Sequence, residues 1–253
     1  MTFLKLENIS KKIGQNSILK KINWEINERE LMVLVGPSGC GKTTLLKVIL
    51  GVLKPDKGSI YINQKKINDI PISERNIGFV PQDFGLFPHL TVNENIAYGL
   101  KVQGYEKQVI NSRVSKLIDK LKLNNLEKRK IDQLSWGQQQ RVALARSLAI
   151  QPCLLLLDEP LSSVDWIARR NISKELKRLQ KEFKITVIYV THDIDEAFEL
   201  GDKITVMNAG KLEQCGTPIN LIHNPKTEFV SSFVRQKKSL KRTRMVMDLT
   251  GEI

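Results

Sequence analysis

The segment Leu31–Leu50 reads LMVLVGPSGCGKTTLLKVIL, and it decides the fold of this 253-residue chain. The apolar run Leu31–Val35 predicts a buried strand, and Lys42–Leu50 predicts the helix that follows. Between them, Gly36–Thr43 fits the pattern G-x-x-x-x-G-K-[ST] in full. Strand, glycine-rich loop and helix in this order predict a phosphate-binding loop in an α/β fold with a mostly parallel sheet.

The loop predicts Mg·ATP as its ligand, with ATP as substrate and Mg²⁺ as cofactor. Its glycines let successive N–H groups point at phosphate oxygens, and the helix start adds its positive dipole end. We expect Lys42 to place its charge on the β- and γ-phosphates and the Thr43 hydroxyl to ligate Mg²⁺. Cys40, close to Lys42 and a helix start, is expected to favour its thiolate. The predicted ATP-binding residues are Gly36, Pro37, Ser38, Gly39, Cys40, Gly41, Lys42, Thr43 and Thr44.

Two acidic residues follow a second apolar run. Asp158 and Glu159 come directly after the predicted strand Pro152–Leu157, in which Cys153–Leu157 is an unbroken apolar run that suits a strand covered on both faces. Ligands in an open α/β sheet sit at the carboxyl ends of strands. We therefore expect Asp158 to hold Mg²⁺ and Glu159 to polarise the attacking water as general base. The structural alternative is an acidic strand end that caps the next turn.

Gln82 and His192 also follow predicted strands, Asn76–Val80 and Ile185–Val190. Both are predicted at the same sheet edge as Asp158. Gln82 is a candidate Mg²⁺ ligand or water-orienting group, and His192 a candidate hydrogen-bond partner of the γ-phosphate. A structural role is the alternative for each.

A further motif, LSWGQQQR, precedes an alanine-rich segment at residues 134–141. Ser135 with Gln138 three residues later predicts a capping box at a helix start. The bare backbone of Gly137 makes the same helix start a candidate anion site. From Thr91 to about Ile131 the pattern is helical and polar.

These motifs together resemble the nucleotide-binding subunits of ABC transporters over roughly residues 3–234. The resemblance is carried by GPSGCGKT, the glutamine of VPQ, LSWGQQQR, LLLLDEP and the histidine of THD, in the order of that family. It implies a P-loop NTPase (RecA-like) core with a small antiparallel β region and a helical subdomain. The implied boundaries are 1–82 and 148–234 for the core, 83–147 for the helical subdomain and 235–253 for a basic tail.

The resemblance also implies partners. Family members form head-to-tail homodimers, in which Ser135, Gly137 and Gln138 would complete the partner's ATP site and Asp165 would lie at the dimer seam. Two integral membrane permease subunits and, indirectly, a solute-binding protein would complete an importer at the cytoplasmic face of the membrane. The importers of sulfate, molybdate, tungstate, iron(III) or polyamines are the most similar, and no nucleic-acid partner is expected.

Two positions depart from the family pattern. Trp136 stands where the family usually has glycine, whereas Gly137, the glycine nearer the partner's γ-phosphate, is kept. Ile13 stands near the place where the family stacks an aromatic residue on adenine. Dispersion from an aliphatic side chain gives less stacking energy than an aromatic ring.

Composition leaves other readings open. The formal net charge is +13, which fits a lysine-rich solvated surface, an anionic membrane surface or nucleic acid. A soluble ABC ATPase acting on nucleic acid or ribosomes is the alternative function, and a binding module with a dead site is a third. The sequence contains no run of about 18 apolar residues, so it predicts no membrane span.

The segment Asp83–Asn95 is the predicted permease contact. It holds Phe84, Leu86, Phe87 and Leu90, and the alternative is that they pack the helical insertion, as some of them are expected to do. Internal burial of all four is not expected in so short a segment, which Gly85 and Pro88 interrupt. We expect them to form a groove for a short cytoplasmic helix of the permease.

Overall fold

A computed structural model of the protein describes residues 1–161 and 166–235. Of these, residues 1–70 and 166–235 form one compact unit and residues 71–161 form the other. Asp165 and the part of the basic tail from residue 236 onwards lie outside the described residues. The domain boundaries implied by the resemblance stay a prediction.

Strands and helices alternate along the chain. The strands are β1 (Thr2–Ile13), β2 (Asn16–Asn27), β3 (Leu31–Val35), β4 (Lys57–Ile62), β5 (Lys65–Lys66), β6 (Ile77–Val80), β7 (Leu154–Asp158), β8 (Thr186–Thr191), β9 (Lys203–Asn208) and β10 (Lys211–Gly216). The helices are α1 (Lys42–Leu50), α2 (Val92–Val102), α3 (Lys107–Lys120), α4 (Trp136–Ala149), α5 (Trp166–Phe183), α6 (Ile194–Leu200) and α7 (Pro218–His223).

The first unit contains a parallel ladder with β3 at its centre. β3 pairs in parallel with β8 on one side and β9 on the other, and β10 pairs antiparallel with β9. Every residue of β3 and β8 is buried. Ala209 and Gly210 join β9 to β10, and both have positive φ, as a type I′ hairpin turn requires.

An antiparallel sheet also belongs to the first unit, in the order β2-β1-β4-β5. Its buried face includes Ile22, Trp24 and Ile26, which alternate along β2. The Trp24 indole donates a hydrogen bond from Nε1 to the Thr205 hydroxyl of β9 over 2.9 Å, so the ring is buried with its polar atom satisfied.

The second unit pairs β6 with β7 in parallel and carries α2, α3 and α4. α2 begins with a capping box in which Thr91 and Glu94 satisfy each other's backbone N–H groups. β7 is buried at every position, because both of its faces are covered.

The α/β fold class is confirmed, with an antiparallel β region and a helical region as expected. The predicted strand Leu31–Val35 and helix Lys42–Leu50 have the predicted bounds. The other predicted strands differ by one or two residues at their ends, as for Ile77–Val80 and Leu154–Asp158.

Candidate functional site

The phosphate loop leaves β3 at a position that only glycine can occupy. A Cβ on Gly36 would lie 2.1 Å from the carbonyl oxygen of Met207 in β9. Gly41 is the N-cap residue of α1 and has a φ of +110°, which residues with a side chain rarely adopt. Within the part of the chain that the structure describes, no side chain caps α1. The start of this helix therefore suits an acceptor that is not a capping side chain, such as a phosphate oxygen.

Lys42 folds back over the loop. Its Nζ donates to the carbonyl oxygens of Gly36 at 2.9 Å and Pro37 at 3.0 Å, and the side chain is buried. The carbonyl of Cys40 accepts from Gly210 N–H over 3.0 Å, so the β9–β10 turn supports the loop from outside. These bonds fix the path of the loop in the described structure.

The expectation that Cys40 favours its thiolate is wrong. The side chain is only 7% exposed, and burial raises the pKa of its thiol. Lys42 lowers that pKa, but desolvation of the charged form is the larger effect. The proximity of a cation could be read from the sequence, whereas the burial of the sulfur could not.

His192 lies beside the phosphate loop at one edge of the sheet. Val35 pairs with Thr191 in the β3–β8 ladder, so Gly36 and His192 are the first residues beyond two paired strand ends. His192 is exposed. This placement fits the predicted contact with a γ-phosphate, which stays a prediction.

The residues after His192 hold its backbone in place. Asp193 caps α6 by accepting from the N–H groups of Asp195 and Glu196, and its carboxylate also accepts from the Arg169 guanidinium of α5. Glu196 is buried and accepts from the hydroxyl of Tyr189 over 3.0 Å. Desolvation raises the pKa of the Glu196 carboxyl.

In the second unit, Gln82, Asp158 and Glu159 lie at one sheet edge. Val80 pairs with Leu157, so all three residues follow paired positions of β6 and β7. The predicted shared edge of Gln82 and Asp158 is thus confirmed. Asp158 is 6% exposed, Glu159 is half-buried and Gln82 is exposed.

Glu159 has a left-handed backbone, with a φ of +46°. Such a conformation is unfavourable for a residue with a Cβ, and it persists where the surroundings impose it. The next carbonyl, that of Pro160, accepts from Nε2 of the buried Gln140 of α4 over 3.3 Å. Gln140 is therefore a supporting residue that the motif analysis missed.

The predicted capping box at the start of α4 is confirmed. Ser135 N–H donates to Oε1 of Gln138 over 2.9 Å, and the Ser135 hydroxyl accepts from Gln138 N–H. Gly137 lies between them, and nothing among the described residues requires a glycine at this position. A Cβ built on it meets no atom within 4 Å, and its φ is not positive.

The segment after Gln82 is held against α4. Arg146 donates to the carbonyl oxygens of Phe84 at 2.9 Å and Gly85 at 2.7 Å, and its guanidinium lies 5.2 Å from the centroid of the Phe87 ring. The sequence analysis missed Arg146, because an arginine inside a helix has no distinctive pattern.

Of the four apolar residues of this segment, Phe84 packs internally, which was the alternative expected for some of them. This ring is only 3% exposed. Leu86, Phe87 and Leu90 are half-buried. Ile13, the candidate cover for adenine, is 51% exposed.

Comparison with known proteins identifies relatives across most of the chain. The profile of the family described as ABC transporter matches residues 19–162. A Fe(3+) ions import ATP-binding protein, FbpC, of Photorhabdus laumondii is 44% identical over 232 residues, which are 92% of this chain and 66% of the relative. The maltose/maltodextrin import ATP-binding protein MalK of Escherichia coli K12 is 45% identical over 238 residues, 94% of this chain and 64% of the relative. The chain thus spans slightly less than two thirds of the length of these relatives.

A solved structure supports the fold. It is a dimeric ATP-binding cassette in a post-hydrolysis state bound to ADP and Pi, with a TM-score of 0.75 and 36% sequence identity. The match covers 85% of this chain and 98% of that structure. Among the described residues, none of the helices combines the length and apolar character that crossing a bilayer requires.

Proposed function

The chain belongs to the ABC transporter family, and we propose that it is the ATP-binding and ATP-hydrolysing subunit of an importer, in which ATP-driven dimer closure powers a membrane permease. The observation that carries the proposal is the phosphate loop. Gly36 and Gly41 occupy positions that a side chain would disrupt, and they lead into a helix start without a side-chain cap. This geometry suits a polyphosphate.

The proposed roles follow from donor chemistry. Lys42 neutralises phosphate charge, Glu159 accepts a proton from the attacking water at a carboxylate oxygen, and His192 donates a hydrogen bond to the γ-phosphate. The hydroxyl of Thr43, the amide oxygen of Gln82 and the carboxylate of Asp158 are hard oxygen donors of the kind Mg²⁺ prefers. Bound with ATP, Mg²⁺ neutralises charge on the β- and γ-phosphates.

Glu159→Gln tests the chemistry directly. The amide cannot accept the proton, so ATP binding should persist while turnover falls by about 10²- to 10⁴-fold. Binding is measured by equilibrium dialysis with labelled ATP, and turnover by phosphate release. Glu28→Gln, at an exposed carboxylate of the turn between β2 and β3, is the matched control and should leave both unchanged. Turnover of Glu159→Gln at the wild-type rate would show that another group is the base.

We also propose a head-to-tail homodimer in which Ser135, Gly137 and Gln138 complete the partner's ATP site. Gly137 supports this arrangement, because nothing within the described chain explains a glycine there. A backbone without a side chain lets a phosphate from another subunit approach the start of α4. The similar solved cassette is itself dimeric.

The proposed permease contact is the apolar surface around Phe87. Its ring contacts Tyr98 of α2, with centroids 4.5 Å apart. Tyr98 and Val102, one helical turn apart, are 43% and 71% exposed. Leu86 and Phe87 are therefore expected at the edge of an apolar surface that a permease helix covers.

Cysteine crosslinking tests this contact. Single cysteines at positions between Asp83 and Asn95 should crosslink to a coexpressed permease, and Phe87→Glu should abolish assembly while ATPase activity of the isolated subunit persists. Val52→Glu, at an exposed apolar position of the other unit, is the control and should still assemble. No crosslink anywhere in the segment, in an assembly that transports, would rule out this surface.

The cargo is proposed to be selected by other subunits. Relatives named for Fe(3+) and for maltose are 44% and 45% identical to this chain. The degree of sequence identity therefore does not indicate which cargo is transported. Both names describe import proteins, which favours an importer at the cytoplasmic face of the membrane, bound through its permease, over the nucleic-acid alternative.

A further inference from the structure

Trp136 makes a contact that a glycine at this position could not make. It is the first residue of α4, between the N-cap Ser135 and Gly137. Its ring lies edge-on to that of Phe84, with centroids 4.9 Å apart and an interplanar angle of 63°. This is a favourable geometry for two aromatic rings.

Phe84 offers Trp136 a rigid surface. The Phe84 ring is buried, and its backbone is left-handed with a φ of +63°. Its N–H donates to Pro81 O over 2.9 Å, and its carbonyl accepts from Arg146. Since side chain, N–H and carbonyl are all engaged, Phe84 cannot shift independently of its neighbours.

The segment that begins at Gln82 is thereby attached to α4 at two places. Trp136 holds it at the first turn of the helix, and Arg146 holds it about ten residues further on, roughly 15 Å along the axis. A displacement of Gln82 therefore has to carry the start of α4 with it.

We propose that Trp136 is a positioning residue that makes Gln82 and the start of α4 move as one body. Nucleotide engagement at Gln82 is then transmitted through Phe84 and Trp136 to the backbone of Gly137, which would face the partner's ATP in the proposed homodimer. The proposal rests on the proposed ATPase function. Trp136, which stands where the family usually has glycine, would thus have a mechanical role in this chain.

The contact between Trp136 and Phe84 predicts that loss of the indole lowers kcat and leaves the KM for ATP nearly unchanged. Trp136→Gly leaves the phosphate loop intact, so the KM for ATP should change less than about 2-fold. The kcat should fall by about 2- to 10-fold, the range that the interaction of one aromatic pair supplies. Trp136→Phe keeps an edge-on ring and should recover most of the loss.

A double-variant cycle tests whether Trp136 acts through Phe84. Phe84→Leu should lower kcat to a similar extent, and Trp136→Gly combined with Phe84→Leu should be no slower than the slower single variant. Phe229→Leu disturbs a different aromatic pair, Phe229 with Phe233, and is the control expected to keep the wild-type kcat. Multiplicative losses in the double variant would overturn the proposal, as would an unchanged kcat in Trp136→Gly.

Tryptophan emission supplies a readout that does not depend on turnover. The emission of Trp136 is the difference between the spectrum of Glu159→Gln and that of Glu159→Gln combined with Trp136→Phe. It should shift when Mg·ATP is added in a Glu159→Gln background, and the shift should be lost when Phe84→Leu is introduced. A shift that survives Phe84→Leu would overturn the coupling. Failure of the proposed function is distinct, since the wild-type chain would then release no phosphate at all.

Discussion

Arg146 should determine how firmly the segment after Gln82 is held, and Arg146→Met removes its five donors while keeping a side chain of similar length. The guanidinium donates to two backbone carbonyls and lies over the Phe87 ring. In the variant, the half-buried carbonyl oxygen of Phe84 loses its hydrogen-bond donor. The carbonyl oxygen of Gly85 is exposed, so water can replace the lost donor there. Opening of the segment should therefore become easier without unfolding the chain.

The magnitude follows from these contacts. Each hydrogen bond from a charged donor contributes about 1.5–3 kcal/mol, and a partly exposed cation–π contact about 0.5–1 kcal/mol. Rehydration of the exposed carbonyl offsets part of the loss, which leaves a net loss of about 2–4 kcal/mol in the free energy of local opening. Opening should become about 30- to 700-fold more frequent.

Native-state hydrogen exchange with mass spectrometry measures this opening. Three amides report on it, since Phe84 N–H donates to Pro81 O, Gly85 N–H to Asp83 Oδ1 and Phe87 N–H to Asn95 Oδ1. Peptides over residues 82–88 should exchange faster in Arg146→Met, with little change elsewhere.

Arg178→Met is the matched control for this experiment. Arg178 forms an exposed ion pair with Glu182 one turn away in α5, and such pairs contribute only about 0.3–0.5 kcal/mol. It should not alter exchange in residues 82–88. Equal exchange in Arg146→Met and the wild-type chain would refute the reasoning, because the guanidinium would then not be what holds the segment.

Four further outcomes are expected. Gly137→Asp should fold normally, since its side chain enters open space, yet lose ATP-dependent dimerisation in analytical ultracentrifugation; Gly36→Ala should instead lower the melting temperature, because its Cβ meets a backbone oxygen. Cys40 should react slowly with maleimide at neutral pH and faster as pH rises toward its raised pKa, as followed by peptide mass spectrometry; rapid labelling at pH 7 would contradict the burial argument. The backbone N–H of Thr91 lowers the pKa of the Glu94 carboxyl, so the stability this bond adds is present above the ordinary pKa of 4.5 and is lost as pH falls through the lower folded value. The destabilisation by Glu94→Gln should accordingly shrink between pH 7 and pH 3 in urea unfolding, and a pH-independent difference would exclude this linkage.

The parallel strands could be predicted because burial on both faces leaves unbroken apolar runs, as in Leu31–Val35 and Leu154–Leu157. The antiparallel sheet of the first unit could not be read from the residue pattern in the same way. In β1 the pairing register shifts between Leu6 and Ile9, and Asn8 has a φ of +52°. Such a bulge breaks the alternation by which a strand with one solvated face is recognised. The alternation of β2, at Ile22, Trp24 and Ile26, was the available signal.

For the candidate site, the motifs predicted which residues gather at each strand end, but not how their surroundings act on them. The residue types do not indicate the left-handed backbones of Phe84 and Glu159, because neither residue is a glycine or an asparagine. The burial of Cys40 likewise depends on residues distant in the chain. The role of Arg146 is recognised only from its hydrogen bonds to the carbonyl oxygens of Phe84 and Gly85.

The left-handed backbone of Glu159 destabilises the folded chain, whereas the proposed turnover needs the glutamate carboxylate at this position. Glycine and asparagine adopt this conformation more readily than glutamate, for which it costs about 1–2 kcal/mol. This conformation lowers the stability of the folded chain whether or not nucleotide is bound. A library selected only for thermal tolerance should therefore be enriched in Glu159→Gly and Glu159→Asn. Such a selection would lead toward a more durable protein that retains ATP without consuming it, and only selection for turnover would keep the glutamate.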